Sequence, residues 1–179
     1  MAAKTPVTVT GRAVVRAIDD RLILPLPGDA STQLPSRGQV AATALLDGHE
    51  VDLVIEPDGR QGHWLDLDAE LAATLGAHEG DTIDVVLTTS STWPEPEVPD
   101  DLAAALEEAD DLASTWRSLT PMARWEWVRW IGSTRSEDTR ARRVEVSIDK
   151  LRGGSRRPCC FNLASCTDPE LARSGKLRD

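Results

Sequence analysis

At 179 residues the chain has room for one domain or two small ones. Hydrophobic residues make up 40% and charged residues 28%, which suits a buried core under a charged surface and excludes collagen, a disulfide scaffold or a membrane span. The net charge of −10 is uneven, with −8 over residues 1–93, −6 over 94–132 and +4 over 133–179, so any contact with a polyanion falls to the C-terminal quarter.

The front half reads as short strands punctuated by turns. Val7, Val9, Ala13 and Val15 alternate around Gly11, the period of a half-buried strand. Leu22, Ile23, Leu24 and Leu26 form a second apolar run, stopped by Pro25 and Pro27. Residues 28–38 have the composition of a loop. The runs at 39–46 and 49–56 flank Asp47-Gly48, and that dipeptide between two strand-like runs predicts a type I′ hairpin. Asp58-Gly59 predicts another turn, leading into the run at residues 62–68. Asp68 as N-cap and Gly76 as stop bracket one short helix. Ile83, Val85 and Leu87 then alternate into a last strand. Residues 5–90 are thus expected to form a small closed or partly closed β-barrel.

The Pro-rich stretch at 91–99 is expected to be a semi-rigid linker. Residues 100–152 change to helical periodicity. Asp100, Thr120 before Pro121, and Ser136 are the candidate caps, and Gly153-Gly154 ends the last helix. On that helix Ala141, Val144, Ile148 and Leu151 make one apolar stripe. Residues 153–179 are a basic, Cys-containing tail. The whole is therefore an α+β protein, with an N-terminal barrel and a C-terminal helical module.

Four of six tryptophans fall in residues 116–130, in a chain with no tyrosine and one phenylalanine. Trp116, Leu119, Ala123, Trp127 and Trp130 share an arc if the helical phase survives Pro121, and their plain role is an aromatic core. Trp125 and Val128 point to the other side, where the barrel, a second chain or a ligand could cover them. Arg140, Arg142 and Arg143 head a basic cluster. Its plain role is a solvated, ion-paired face, and its functional role would be anion binding, since guanidinium forks suit phosphate and carboxylate.

Cys159, Cys160 and Cys166 are all the cysteines of the chain. Thiolates that close in sequence could hold zinc, copper or an iron–sulfur cluster, or act as redox thiols, although the spacing matches none of the common pairs. So few cysteines, with no apolar leader at the N-terminus, place the protein in a reducing cytoplasm by expectation. The sequence contains no nucleophile elbow, Walker loop, His-Glu-x-x-His or dinucleotide fingerprint.

Two blocks carry a family resemblance. Residues 42–87 resemble a small β-barrel domain of unknown function, and their Gly-Asp-x-Ile-x-Val-x-Leu end is shared with the swapped-hairpin barrels of AbrB-like transcription factors, which suggests a swapped-hairpin or double-split-barrel-like fold. Residues 99–151 resemble the YdeI/OmpD-associated, bacteriocin-protection-type family. The matching features are Leu119-Thr120-Pro121, Trp127-Val128-Arg129-Trp130-Ile131 and Glu137-Asp138-Thr139-Arg140-Ala141-Arg142-Arg143. Trp125 departs from that pattern by standing where a charged residue is expected. The resemblance implies a non-enzymatic binding or interaction protein linked to envelope stress or bacteriocin tolerance, with a protein or small molecule as partner. A metal or thiol-redox protein using the cysteines is one alternative. A DNA-binding regulator with a swapped-hairpin barrel is the other, and the −8 charge of the front half opposes it.

Overall fold

The computed structural model describes residues 5–158 and 162–179. Backbone contacts divide the chain into two units. A front unit takes residues 1–94 with 163–166 and 173–179, and a helical unit takes residues 95–162 with 167–172. Residues 153–179, expected as one tail, therefore divide between the two.

The front unit is an antiparallel sheet of seven strands. They are β1 (Thr8–Val14), β2 (Arg16–Ile18), β3 (Arg21–Pro25), β4 (Val40–Leu46), β5 (His49–Pro57), β6 (His63–Leu67) and β7 (Thr82–Thr89), in the order β1-β7-β4-β5-β6-β3-β2. Only Val15 separates β1 from β2, yet these are the two ends of that order, so the sheet curls round on itself. The β4–β5 hairpin turns as its residues require: Asp47 and Gly48 both hold positive φ, at 47° and 84°. Alternation fills the interior. Val9, Ala13, Val15, Leu24, Ala42, Ala44, Leu46, Ile55, Leu65, Leu67, Ile83, Val85 and Leu87 form one core, because every second residue of a strand faces the same side. The short helix α2 (Ala69–Leu75) is capped as its sequence predicts. Asp68 accepts from the Leu71 N–H, and Gly76 closes the helix in the left-handed conformation.

Residues 28–32 depart from expectation. They form a short helix, α1 (Gly28–Thr32), rather than loop. Ala30 belongs to the core, and burial of that apolar face outweighs the turn-like composition.

The helical unit holds α3 (Asp100–Glu108), a 3₁₀ turn (Asp110–Leu112), α4 (Ala113–Ser118), α5 (Pro121–Gly132) and α6 (Glu137–Arg152). Thr120 accepts from Ala123 N–H and Ser136 from Thr139 N–H, as their positions before the helices predict. Asp100 is instead the first helical residue, after Pro99. The buried stripe of α6 is Val144, Ser147, Ile148 and Leu151. Ala141 is exposed, and Ser147 replaces it because its hydroxyl is satisfied internally, donating to the Arg143 carbonyl at 2.7 Å.

Beyond α6 the chain ends in a small hairpin of β8 (Ala172–Arg173) and β9 (Lys176–Leu177), turning through Ser174 and Gly175, both at positive φ. No helix among the described residues is long and apolar enough to cross a membrane.

Candidate functional site

The helical unit concentrates the tryptophans and arginines that the sequence singles out. Pro121 does break the helix there, yet the aromatic core survives the break. Trp116 on α4 and Ala123, Trp127 and Trp130 on α5 pack in one cluster with Leu112, Leu119, Ile148 and Leu151. Trp127 is the fully buried member and meets Trp130 edge to face, with ring centroids 6.2 Å apart. Its indole N–H donates to the Arg156 carbonyl at 3.2 Å.

One residue before Trp127, Glu126 is buried although it is a carboxylate. Arg157 reaches it with both prongs of its guanidinium, at 2.6 and 2.7 Å. Glu126 in turn raises the pKa of Arg157, through the hydrogen bonds first and the charge attraction second. The turn at Gly153-Gly154 thus brings residues 156–157 onto two successive residues of α5. Sequence reasoning missed this pair. A lone Glu in a tryptophan-rich helix was its only signal.

The basic cluster is divided among structural tasks. Arg140 is bidentate to Asp101 on α3, at 2.6 and 2.9 Å, and this hydrogen bonding holds the Asp101 carboxyl below its usual range. Arg143 stacks 5.4 Å from the Trp130 ring centre and donates to the Trp130 carbonyl and the Ser133 hydroxyl, both at 2.6 Å. Burial lowers its pKa. Arg142 is exposed. Arg152 pairs with Asp111 in the same bidentate way and lowers that carboxyl.

Several arginines do one job that composition alone does not disclose. The last carbonyls of a helix lack intrahelical donors. Arg124 supplies donors to the Trp116, Arg117 and Leu119 carbonyls at the end of α4, while Glu95 holds its other edge at 2.6 and 3.0 Å. Arg156 donates to Ser118 and Arg143 to Trp130. In the front unit Arg37 donates to Ser31 and Leu34 after α1. A positive fork at a helix C-terminus also complements its dipole.

Trp125 and Val128, the candidate interaction surface, are both half-buried. Val128 packs on Leu102, Ile131 and Val144 of its own unit. Cys159 and Cys160 lie outside the described residues. Cys166 is buried and belongs to the front unit, where its N–H donates to the Gly175 carbonyl at 3.0 Å. Among the described residues no group of three His, Cys, Asp or Glu side chains comes together to hold a metal ion.

The front unit has one buried imidazole, His63 on β6. Its Nε2 lies 3.0 Å from the Gly38 carbonyl, which can only accept, so Nε2 carries the proton. Nδ1 then accepts from the Ser31 hydroxyl at 2.7 Å. The ring is a satisfied neutral crosslink between α1, β6 and the loop before β4. Burial lowers its pKa from 6.5, the Gly38 hydrogen bond opposing and the nearby Arg37 charge adding to the effect. The unfolded chain then takes up this proton first as pH falls, so the contribution to stability is full above 6.5 and drains away below it, down to the folded value. Between pH 7 and 5 the urea midpoint should fall more steeply for the natural chain than for His63→Gln. Parallel slopes would show that His63 plays no part.

With this geometry in place, two family models match the chain. Residues 95–154, which run from before α3 to just past α6, match the model described as Bacteriocin-protection, YdeI or OmpD-Associated. Residues 12–87, which hold most of the curled sheet, match a domain of unknown function, DUF1905. No curated protein matches the chain.

Proposed function

We propose that this chain, which joins a DUF1905 domain to a YdeI/OmpD-associated domain, is a non-enzymatic cytoplasmic binding protein serving bacteriocin tolerance or the envelope-stress response. The observation that carries the reading is the match of the helical unit to a family described by bacteriocin protection. The side chains support it. Groups that could do chemistry are at work as fasteners: Glu126 with Arg157, Asp101 with Arg140, Asp111 with Arg152, and His63 with Ser31 and Gly38. A cysteine count of three in 179 residues fits a reducing compartment. We read the front unit more finely as a swapped-hairpin, double-split-barrel-like barrel, on the strength of the crossover that sets β7 between β1 and β4.

The test is survival. A bacterial strain lacking this chain is challenged with bacteriocins and with envelope-disrupting agents, then complemented. Lower survival, restored by the full chain, is expected. Unchanged survival under both challenges overturns the reading. Complementation by a Cys159→Ser, Cys160→Ser, Cys166→Ser triple variant should succeed equally well. Failure of that variant, with its fold intact, would move the function to metal or thiol chemistry at those cysteines.

A further inference from the structure

The outer face of β2, β3 and β6 carries buried apolar side chains that the barrel core does not use. The core draws on Leu22, Leu24, Leu65 and Leu67. The alternate residues must face outward. Cross-strand partners Arg16, Ile23 and Asp66 form one outward row, Pro25, Trp64 and Glu56 a second, and Ile18 with Arg21 a third. On this face Ile18 is 4% exposed, Ile23 0% and Trp64 3%. The same face of β1 and β7 presents Thr8, Thr10, Arg12, Val14, Thr82, Asp84 and Val86, and is mostly open.

The end of the chain is fastened there. Arg16, on the row of Ile23, donates to the Arg178 carbonyl, and Arg178 forms an ion pair with Asp19 in the β2–β3 turn. The Leu177 N–H donates to the Asp58 carbonyl at 2.8 Å, and Arg60 holds the Leu177 carbonyl at 3.1 Å and the Asp179 carboxylate at 3.3 Å. Leu177 itself is 5% exposed. Gly59, at φ +75°, lies so close to Gly175 that a Cβ would overlap the Gly175 carbonyl.

We propose that residues 173–179 are a releasable strap, occupying the Ile18–Ile23–Trp64 face and latched by exposed ion pairs. Beside the buried Leu177 and its backbone hydrogen bond, the charged part of the latch meets water on its carboxylate side. Asp19 keeps two-thirds of its side-chain surface exposed and Asp179 nearly all of it, so the latch is individually weak and screened by salt. Beneath it lies an apolar face that becomes available for contact when the strap lifts. Residues 155–179 lie outside both family matches.

A charge exchange in the full chain tests the latch. Asp19→Arg and Arg178→Asp should each speed amide exchange at Leu177 by roughly two- to fivefold, the scale of one exposed ion pair, and the double variant should restore it. A hydrophobic dye should bind each single variant more than the natural chain. Leu177→Asp should lift the strap outright, raising dye binding and shifting the emission of Trp64, taken as the difference from the matching Trp64→Phe chain. Two results overturn the proposal. One is unchanged Leu177 exchange in both single charge variants. The other is a Leu177→Asp chain that loses its cooperative melt and helical signal, which would make the segment an inseparable part of the fold.

Discussion

Trp127→Ala should cost the helical unit about 3–5 kcal/mol, the range for deleting a large buried aromatic. The side chain is 0% exposed. Its removal leaves a cavity at the centre of the cluster that includes Leu119 of the α4–α5 turn and Ile148 and Leu151 of α6, and these neighbours, fixed on separate elements, cannot all close in. It removes the edge-to-face contact with Trp130 and strands the Arg156 carbonyl that the indole satisfies. Trp125→Ala, at a half-buried site, should cost less. Trp130→Ala should fall between them, since Trp130 is half-buried but supports the Arg143 guanidinium. Urea unfolding followed by the helical signal is the check, because a chain of two units need not unfold in one step. Equal midpoint losses for Trp127→Ala and Trp125→Ala, at unchanged slope, would mean that Trp127 does not anchor this core.

That ranking also shows where the sequence is legible. Periodicity places Trp116, Leu119, Ala123, Trp127 and Trp130 together, and they do pack together although Pro121 ends one helix and begins another. Spacing identifies a face, but it cannot say which of two tryptophans on that face sits deepest. That depends on α6 and on residue 156, both distant in sequence. Turn and cap chemistry is local, and for that reason Asp47-Gly48, Asp68, Gly76, Thr120 and Ser136 all act as their positions predict. Asp100, which falls inside its helix after Pro99, is one counterexample, and residues 28–32 are another, since a tertiary contact at Ala30 decides a locally ambiguous segment. The arginines were legible as a basic cluster and opaque as individuals. Whether a guanidinium faces solvent or a helix terminus is settled by the fold, as with Arg124 reaching back to α4 and Arg140 crossing to Asp101. The strap belongs to the same class. Nothing in residues 173–179 announces that Arg16, Asp19, Asp58 and Arg60 will receive them.

The Glu126–Arg157 pair gives the second large effect, and its sign depends on which partner is removed. Arg157→Ala leaves the Glu126 carboxylate, 4% exposed, without its fork. Breaking a fully buried pair in this way costs about 3–5 kcal/mol. Here the Arg157 side chain is itself 58% exposed, so water can enter where it leaves, and the expected loss is nearer 2 kcal/mol. Glu126→Met runs the other way. It replaces the buried charge by an apolar side chain of similar reach and returns Arg157 to solvent, which already bathes most of it. Its cost should be under about 1 kcal/mol, because an apolar substitute for a buried ion is often neutral or stabilising. The double variant should resemble Glu126→Met alone, since removing Arg157 matters only while the carboxylate remains. Equal losses from the two single variants, adding in the double, would show that the fork contributes no coupling and that residues 156–158 are held to α5 by the Trp127 hydrogen bond and packing instead.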